Sequence, residues 1–234
     1  MNSVLRQILE TKSVTHENET LPLVGHVDKK EGELLTRVFE RVRPVTSLEV
    51  GFAYGISTLY ICDALARVKQ PARHIVLDPF QSSQWKGIGL SNVRRAGYER
   101  FVELREEKSE IALPQLLAEE TTLDAAFIDG WHTFDHALVD FFYVNKMLRV
   151  GGIVVFDDAT YPSVGKLVDH VLTYGCYRLY ATPEPSVPFL NAGSYRLAKR
   201  LAYHARLRPS RWPSAVALEK VGPDDRDWTW YKAF

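Results

Sequence analysis

The stretch SLEVGFAYGISTLYI (residues 47–61) runs from an apolar, strand-like segment through a turn with two glycines into a helix-like segment. A glycine at a strand's end, followed by a helix N-terminus, lets a ligand approach the backbone and meet unpaired N–H groups and the positive end of the helix dipole. Gly51 and Gly55 supply this geometry. Ala53 and Ile56 stand where a dinucleotide fingerprint carries its next glycines, which weakens a pyrophosphate-binding interpretation.

Strand-like and helix-like periodicities alternate along the chain, which predicts an α/β fold with a mostly parallel sheet covered on both faces. The predicted strands are VTSLEV, HIVLDP, FVELREE, LDAAFIDG, IVVFDD, YRLYAT and AVALEKV. The helix-like segment LSNVRRAG is expected to end at Gly97, and the helix that begins near Phe134 is expected to end at Gly151.

Length and composition limit the classes of partner. A chain of 234 residues favours one domain, and its 29 basic and 29 acidic side chains cancel, so no overall field favours nucleic acid or a membrane surface. Cys62 and Cys176 match no metal or redox spacing. The N-terminus lacks the apolar stretch of a signal peptide, and no apolar run is long enough to span a membrane. We therefore expect a cytoplasmic protein.

Two acids lie near the ends of the first two predicted strands of the core. Asp78 closes HIVLDP, where a carboxylate can accept the hydroxyls of a ribose, although an aspartate there can also simply form a turn. Glu49 lies just before the end of the preceding strand. Both acids are candidates for a nucleotide-binding site.

Three further acids follow two strands that should be neighbours in the sheet. FIDGWH contains Asp129, and VVFDDA contains Asp157 and Asp158. Because carboxylates that converge without a cation repel one another, the pattern indicates a hard divalent ion, and Mg²⁺ fits an oxygen-rich site that leaves positions for substrate. The alternative is that one acid of the pair only caps a loop.

LEVGFAYGIST together with IVLDP resembles the cofactor-binding half of class I S-adenosylmethionine-dependent methyltransferases, in particular small metal-dependent O-methyltransferases related to catechol O-methyltransferase. The resemblance spans roughly residues 25–160. It implies a Rossmann-like methyltransferase fold, with a seven-stranded sheet whose last strand is antiparallel. It divides a single domain, 1–234, into an N-terminal helical segment (1–44), a cofactor-binding core (45–160) and C-terminal strands (161–234).

The resemblance also implies S-adenosylmethionine as cofactor, with Ser57 at its carboxylate, Asp78 at the ribose, Ser109 at the adenine and Trp131 as a wall beside it. Ser109 could instead be a helix N-cap, and Trp131 could be ordinary packing. The complete set of predicted cofactor residues is Glu49, Gly51, Gly55, Ser57, Asp78, Ser109, Asp129 and Trp131.

For the metal, the resemblance implies two Asp ligands and one Asn, and Asp158 occupies the Asn position, which adds a negative charge. His132 lies where the relatives have a lysine base, and a neutral imidazole can take the proton of an acceptor hydroxyl. Asp129 and His132 are therefore the predicted catalytic residues. The alternative is that His132 caps the next helix or contacts Asp135.

A basic insertion, about residues 185–214, includes the predicted helix YRLAKRLAYHARL. It could attract a glycosyl or phosphorylated acceptor, form a homodimer surface, or be a solvated helix. The overall prediction is Mg²⁺-assisted methyl transfer to a hydroxyl of a small molecule with two adjacent oxygens, such as a sugar diol or a catechol. The alternatives are a metal-independent methyltransferase, a nicotinamide-dependent oxidoreductase and a non-catalytic cofactor-binding module.

Overall fold

The computed structural model describes residues 1–17, 19–183 and 210–231. Its strands are β1 (Ser13–His16), β2 (Glu19–Pro22), β3 (Thr46–Val50), β4 (Arg73–Leu77), β5 (Val102–Arg105), β6 (Leu123–Ile128), β7 (Leu148–Phe156), β8 (Tyr177–Ala181) and β9 (Val216–Lys220). Its helices are α1 (Ser3–Thr11), α2 (Lys29–Val42), α3 (Ile56–Val68), α4 (Ile88–Arg95), α5 (Ser109–Ala118), α6 (Phe134–Met147) and α7 (Pro162–Val171).

The central sheet has seven strands in the order β5-β4-β3-β6-β7-β9-β8. The first five of these pair in parallel, whereas β9 is antiparallel to both β7 and β8. The strand order changes direction at β3, which places the loops after β3, β4 and β6 side by side at one edge. The predicted Rossmann-like fold, with its antiparallel last strand, is confirmed.

Two hydrophobic layers cover the sheet. Helices α1 to α4 pack on one face and α5 to α7 on the other. Because side chains alternate along a strand, Leu48 and Val50 of β3 face α5 and α6, while Glu49 between them faces α3. A buried acid in the middle of an apolar strand therefore points into the layer that contains the helix after the glycine turn.

The structure corrects the prediction for the end of α6. The helix ends at Met147, and its C-cap, Leu148, is already the first residue of β7. No loop separates the two elements, so Gly151 does not end the helix. Gly151 lies inside β7 with φ of 81°. The prediction for Gly97 is correct, because it follows α4 with φ of 75° and donates its N–H to the carbonyl of Arg94.

Three further features were not predicted or fall outside the described residues. The hairpin β1–β2 lies within the segment expected to be helical, and α7 follows the predicted core directly. The helix expected over 195–207 in the basic insertion lies in the part of the chain that is not described. Among the described residues, no helix is long and apolar enough to cross a membrane.

Candidate active site

A cleft of about 870 Å³ opens at the carboxyl ends of β3, β4, β6 and β7. Its floor consists of the loops that follow these strands, and residues 24–27, which precede α2, form one wall. Six of the eight predicted cofactor residues line it: Gly51, Ser57, Asp78, Ser109, Asp129 and Trp131. Glu49 and Gly55 are not part of the lining.

The two glycines of the turn after β3 have different tasks. Gly51 has φ of 94°, and a Cβ there would collide with the carbonyl oxygen of Asp129, so glycine lets the loops after β3 and β6 approach each other. Gly55 has φ of 76° and is the N-cap of α3. A Cβ on Gly55 would lie 2.9 Å from the ring of Phe52. The second glycine therefore serves the local packing of the turn.

Asp78 is buried and fastens the glycine turn. Its Oδ2 accepts the backbone N–H groups of Phe52 and Ala53 at 3.2 and 2.9 Å, and its Oδ1 accepts that of Phe80 at 2.8 Å. A carboxylate has about four acceptor positions, so capacity remains for a ribose hydroxyl. Asp78 combines a turn-forming role with a position in the cleft wall, and its contact with a ribose stays a prediction.

Glu49 lies behind the cleft, in a network of buried polar side chains. It accepts hydrogen bonds from Ser57 Oγ and, at 2.7 Å, from Thr58 Oγ1. His74 Nε2 lies 2.8 Å from Glu49 Oε2, and His74 Nδ1 lies 2.9 Å from Ser47 Oγ. Glu49 thus holds Ser57, a residue of the cleft lining, from behind.

The opposite end of the cleft is the first turn of α5. Lys108, Ser109 and Glu110 line it. Lys108 occupies the N-cap position without a side-chain cap bond, so Ser109 is not the N-cap. Trp131 is 61% exposed, with its ring 5.1 Å from that of His136, so it stands at the rim rather than in the core.

The predicted catalytic pair converges with Asp158 at the other end of the cleft, so two of the three predicted metal ligands, Asp129 and Asp158, lie in this cluster. Asp129, His132 and Asp158 each offer a ligand atom, and these atoms lie within 4.8 Å of one another. His132 Nε2 is 3.1 Å from Asp158 Oδ2 and 3.4 Å from Asp129 Oδ1. The imidazole therefore contacts these acids, whereas Asp135 contacts His136.

Asp157 lies buried beside this cluster. Its side chain hydrogen-bonds to that of Asp129, yet its Oδ1 has no partner among the described residues. Burial raises the pKa of both carboxyls. Repulsion from Glu49 and Asp158 raises the pKa of Asp129 further, and repulsion from Asp129 and Glu31 raises that of Asp157. Oxygen ligands around an unsatisfied buried carboxylate fit a hard divalent cation, which would supply the missing positive charge.

Sequence reasoning missed a fourth acid, Glu31, which lines the cleft from α2. It forms a capping box with Asp28, whose N–H it accepts at 2.5 Å, and it also hydrogen-bonds to Ser214. Burial raises its pKa. The spacing of Asp28 and Glu31 marks a helix start, but nothing in the local sequence indicates that Glu31 faces acids about a hundred residues away.

The segment that contains the cleft loops after β3, β4, β6 and β7 is similar to known proteins. A family model described as a methyltransferase domain matches residues 48–159. The mouse (Mus musculus) transmembrane O-methyltransferase homolog is 26% identical over 190 residues, 79% of this chain and 72% of that protein. Catechol O-methyltransferase of Bos taurus is 27% identical over 150 residues, 62% of this chain and 53% of that one.

The fold is also similar to that of solved structures. The crystal structure of an O-methyltransferase from Bacillus cereus in complex with SAH gives a TM-score of 0.66 at 17% identity. The similarity covers 94% of this chain and 91% of that one. The match therefore extends beyond the core, to the N-terminal helices and the C-terminal strands.

Proposed function

We propose that this chain is a class I S-adenosylmethionine-dependent O-methyltransferase and that it methylates a small molecule with two adjacent oxygens, such as a sugar diol or a catechol. The observation that carries the proposal is the convergence of Asp129, His132 and Asp158 beside the unsatisfied Asp157. A metal held by a few carboxylates keeps positions for two substrate oxygens. A phosphorylated acceptor would depend on the basic insertion, most of which lies outside the described residues.

The cofactor supplies an electrophilic methyl group when it is bound. Asp78 would accept its ribose hydroxyls, Ser57 would meet its carboxylate, and Ser109 would stand at the adenine. Because these side chains lie on three different elements at the sheet edge, they would fix the position of the cofactor along the cleft. This alignment would account for much of the rate.

Asp129, Asp157 and Asp158 would hold Mg²⁺ at the other end. The ion, when bound, would acidify the acceptor hydroxyl. The imidazole ring of His132 would then receive the hydroxyl proton. Asp158 and Asp129, at 3.1 and 3.4 Å from its Nε2, would orient the ring and stabilise the imidazolium that results.

The first test is whether turnover needs a divalent ion. A catechol and a panel of sugar diols serve as acceptors, and exhaustive chelation should abolish methylation that added Mg²⁺ restores. Full turnover after chelation would contradict the metal role and favour the metal-independent alternative, in which His132 and Asp129 act alone.

The second test asks which acids bind the ion. Asp129→Asn and Asp157→Asn should weaken Mg²⁺ binding strongly in calorimetry, whereas Asp158→Asn, which introduces the amide usual in the relatives, should be the mildest. Asp225→Asn, an exposed acid outside the cleft lining, is the matched control. Equal effects of all four substitutions would contradict a specific site.

A further inference from the structure

One buried acid near the cleft has no part in the function proposed above. Asp140 lies on α6 and is 1% exposed. Its Oδ1 has no hydrogen-bond partner in the described parts of the chain. An ionisable side chain that is buried with an unsatisfied oxygen costs folding free energy, so its presence calls for a function.

The surroundings of Asp140 connect it to the α5 end of the cleft. The Ser109 hydroxyl hydrogen-bonds to the Asp140 carboxylate. Gly130, in the loop after β6, leaves space for the same carboxylate, since a Cβ there would lie 3.2 Å from Asp140 Oδ2. The charged groups that face Asp140 are His136 on its own helix and Glu110 on α5. Asp140 thus stands behind two residues of the cleft lining, Ser109 and Gly130.

A serine hydroxyl has one proton to donate and two lone pairs to accept. When the Asp140 carboxylate takes that proton, Ser109 can present only lone pairs to the cleft. A ligand group opposite Ser109 must then be a donor, because two acceptors facing each other repel. Asp140 therefore determines whether the Ser109 hydroxyl acts towards the cleft as a hydrogen-bond donor or as an acceptor.

We propose that Asp140 is a positioning residue that makes Ser109 a hydrogen-bond acceptor, so that the cleft selects a purine with an exocyclic amine over its 6-oxo analogue. The inference rests on the proposed function, because it requires the adenosyl group to reach from Asp78 after β4 to the first turn of α5. The amine of adenine donates to Ser109, whereas the 6-oxo group of hypoxanthine presents an acceptor. A site that offers only a hydrogen-bond acceptor disfavours a ligand that presents an acceptor at the same position.

The selection depends on pH. Burial raises the pKa of Asp140 to about 6, and the Ser109 hydrogen bond opposes that rise. Above this pH the carboxylate is ionised and holds the Ser109 proton. Below it, the protonated acid can itself donate to Ser109, whose own proton is then available to a 6-oxo group. Discrimination should therefore be present at pH 7.5 and largely lost at pH 5.

The test measures calorimetric dissociation constants of the full chain for S-adenosylhomocysteine and for S-inosylhomocysteine, its 6-oxo analogue. At pH 7.5 the wild type should bind the adenosyl compound about tenfold more tightly or better, the scale of one hydrogen bond. Asp140→Leu, which is similar in size and cannot accept a hydrogen bond, should remove most of that ratio, and so should Ser109→Ala. Asp140→Leu in the Ser109→Ala background should change the ratio no further.

The outcomes separate a positioning role from a merely structural one. An unchanged ratio in Asp140→Leu, or effects of the two substitutions that add, would overturn the inference. If Asp140→Leu does not fold, Ser109→Ala decides: an unchanged ratio in that variant refutes the proposal, because Ser109 is then not the acceptor that discriminates. Failure of the wild type to bind S-adenosylhomocysteine at either pH would instead reject the cofactor site itself.

Discussion

Two groups of buried acids lie at the same edge of the sheet, and they differ in how their oxygens are satisfied. Glu49 receives hydrogen bonds from Ser57 and Thr58 and contacts His74 at 2.8 Å. Asp157, two strands further along at the end of β7, is also buried, but its Oδ1 has no partner in the described residues, and the carboxylates of Asp129, Glu31 and Asp158 repel it.

The difference distinguishes a carboxylate whose hydrogen-bond partners are supplied by the chain from one that lacks a partner in the described residues, as expected of a ligand-binding group. A buried charge stabilises a fold only when hydrogen bonds replace the water that it has lost. Glu49 meets that condition within the chain. Asp157 does not, so we expect it to weaken the fold in the absence of a cation, which is the usual relation between a binding site and stability.

The largest effect is expected for Glu49→Ala. Removing this carboxylate leaves the donors of Ser57, Thr58 and His74 buried without their acceptor, so the free energy of unfolding should fall by about 3 to 5 kcal/mol. Urea denaturation measures it. Glu49→Gln, which keeps the shape and one acceptor oxygen, should lose less. A loss below about 1 kcal/mol for Glu49→Ala would remove the contrast between the two groups of acids.

The next effect concerns His132, at the end of the cleft where it contacts Asp129 and Asp158. His132→Ala should lower kcat by about a hundredfold or more, roughly 2.7 kcal/mol, because the acceptor proton loses its base. Cofactor and Mg²⁺ dissociation constants should change little. His132→Lys, which introduces the base that the family resemblance implies at this position, should recover part of the rate. A normal kcat in His132→Ala would return this residue to a structural role.

Asp78 shares one feature with each of these acids: like Glu49 it is satisfied within the chain, by three backbone N–H groups, and like Asp157 it lines the cleft. Asp78→Ala should weaken S-adenosylmethionine binding by about 2 kcal/mol, the scale of hydrogen bonds to a charged acceptor. Calorimetry on the folded variant measures it, and thermal unfolding reports the separate loss of the turn. Unchanged affinity would leave Asp78 as a turn residue only.

The parts of the fold that the sequence predicts are those that local pattern determines. Apolar strand runs and the glycine turn depend on neighbouring residues, so β3, α3 and the acids after β6 and β7 are predictable. Gly151 was misassigned because glycine is typical of a helix C-terminus, while here the backbone passes straight from α6 into β7.

The remaining parts of the site depend on contacts between distant segments. Glu31 reads as a capping residue and Asp140 as one polar position on a helix, and neither pattern indicates which side chains lie opposite. The partners of Glu49 likewise follow from the register of β3 against β4, which pairs Ser47 with His74. Patterns of one strand or helix cannot supply this information, because it arises only when the layers pack.

The smallest effect has the opposite sign to that of Glu49→Ala. Without added metal, Asp157→Asn should raise the free energy of unfolding by about 1 kcal/mol at pH 8, because it removes repulsion from Asp129 and Glu31. A carboxyl whose pKa is raised by folding destabilises the folded state progressively as pH rises, so the gain should shrink towards pH 4.

Urea denaturation at the two pH values measures this gain. Saturating Mg²⁺ should make the wild type more stable than Asp157→Asn, because the wild type then gains binding free energy that the variant lacks. Destabilisation by Asp157→Asn in metal-free buffer at pH 8 would show that its carboxylate is satisfied within the chain, as Glu49 is. The acids after β6 and β7 would then complete the fold rather than await a cation.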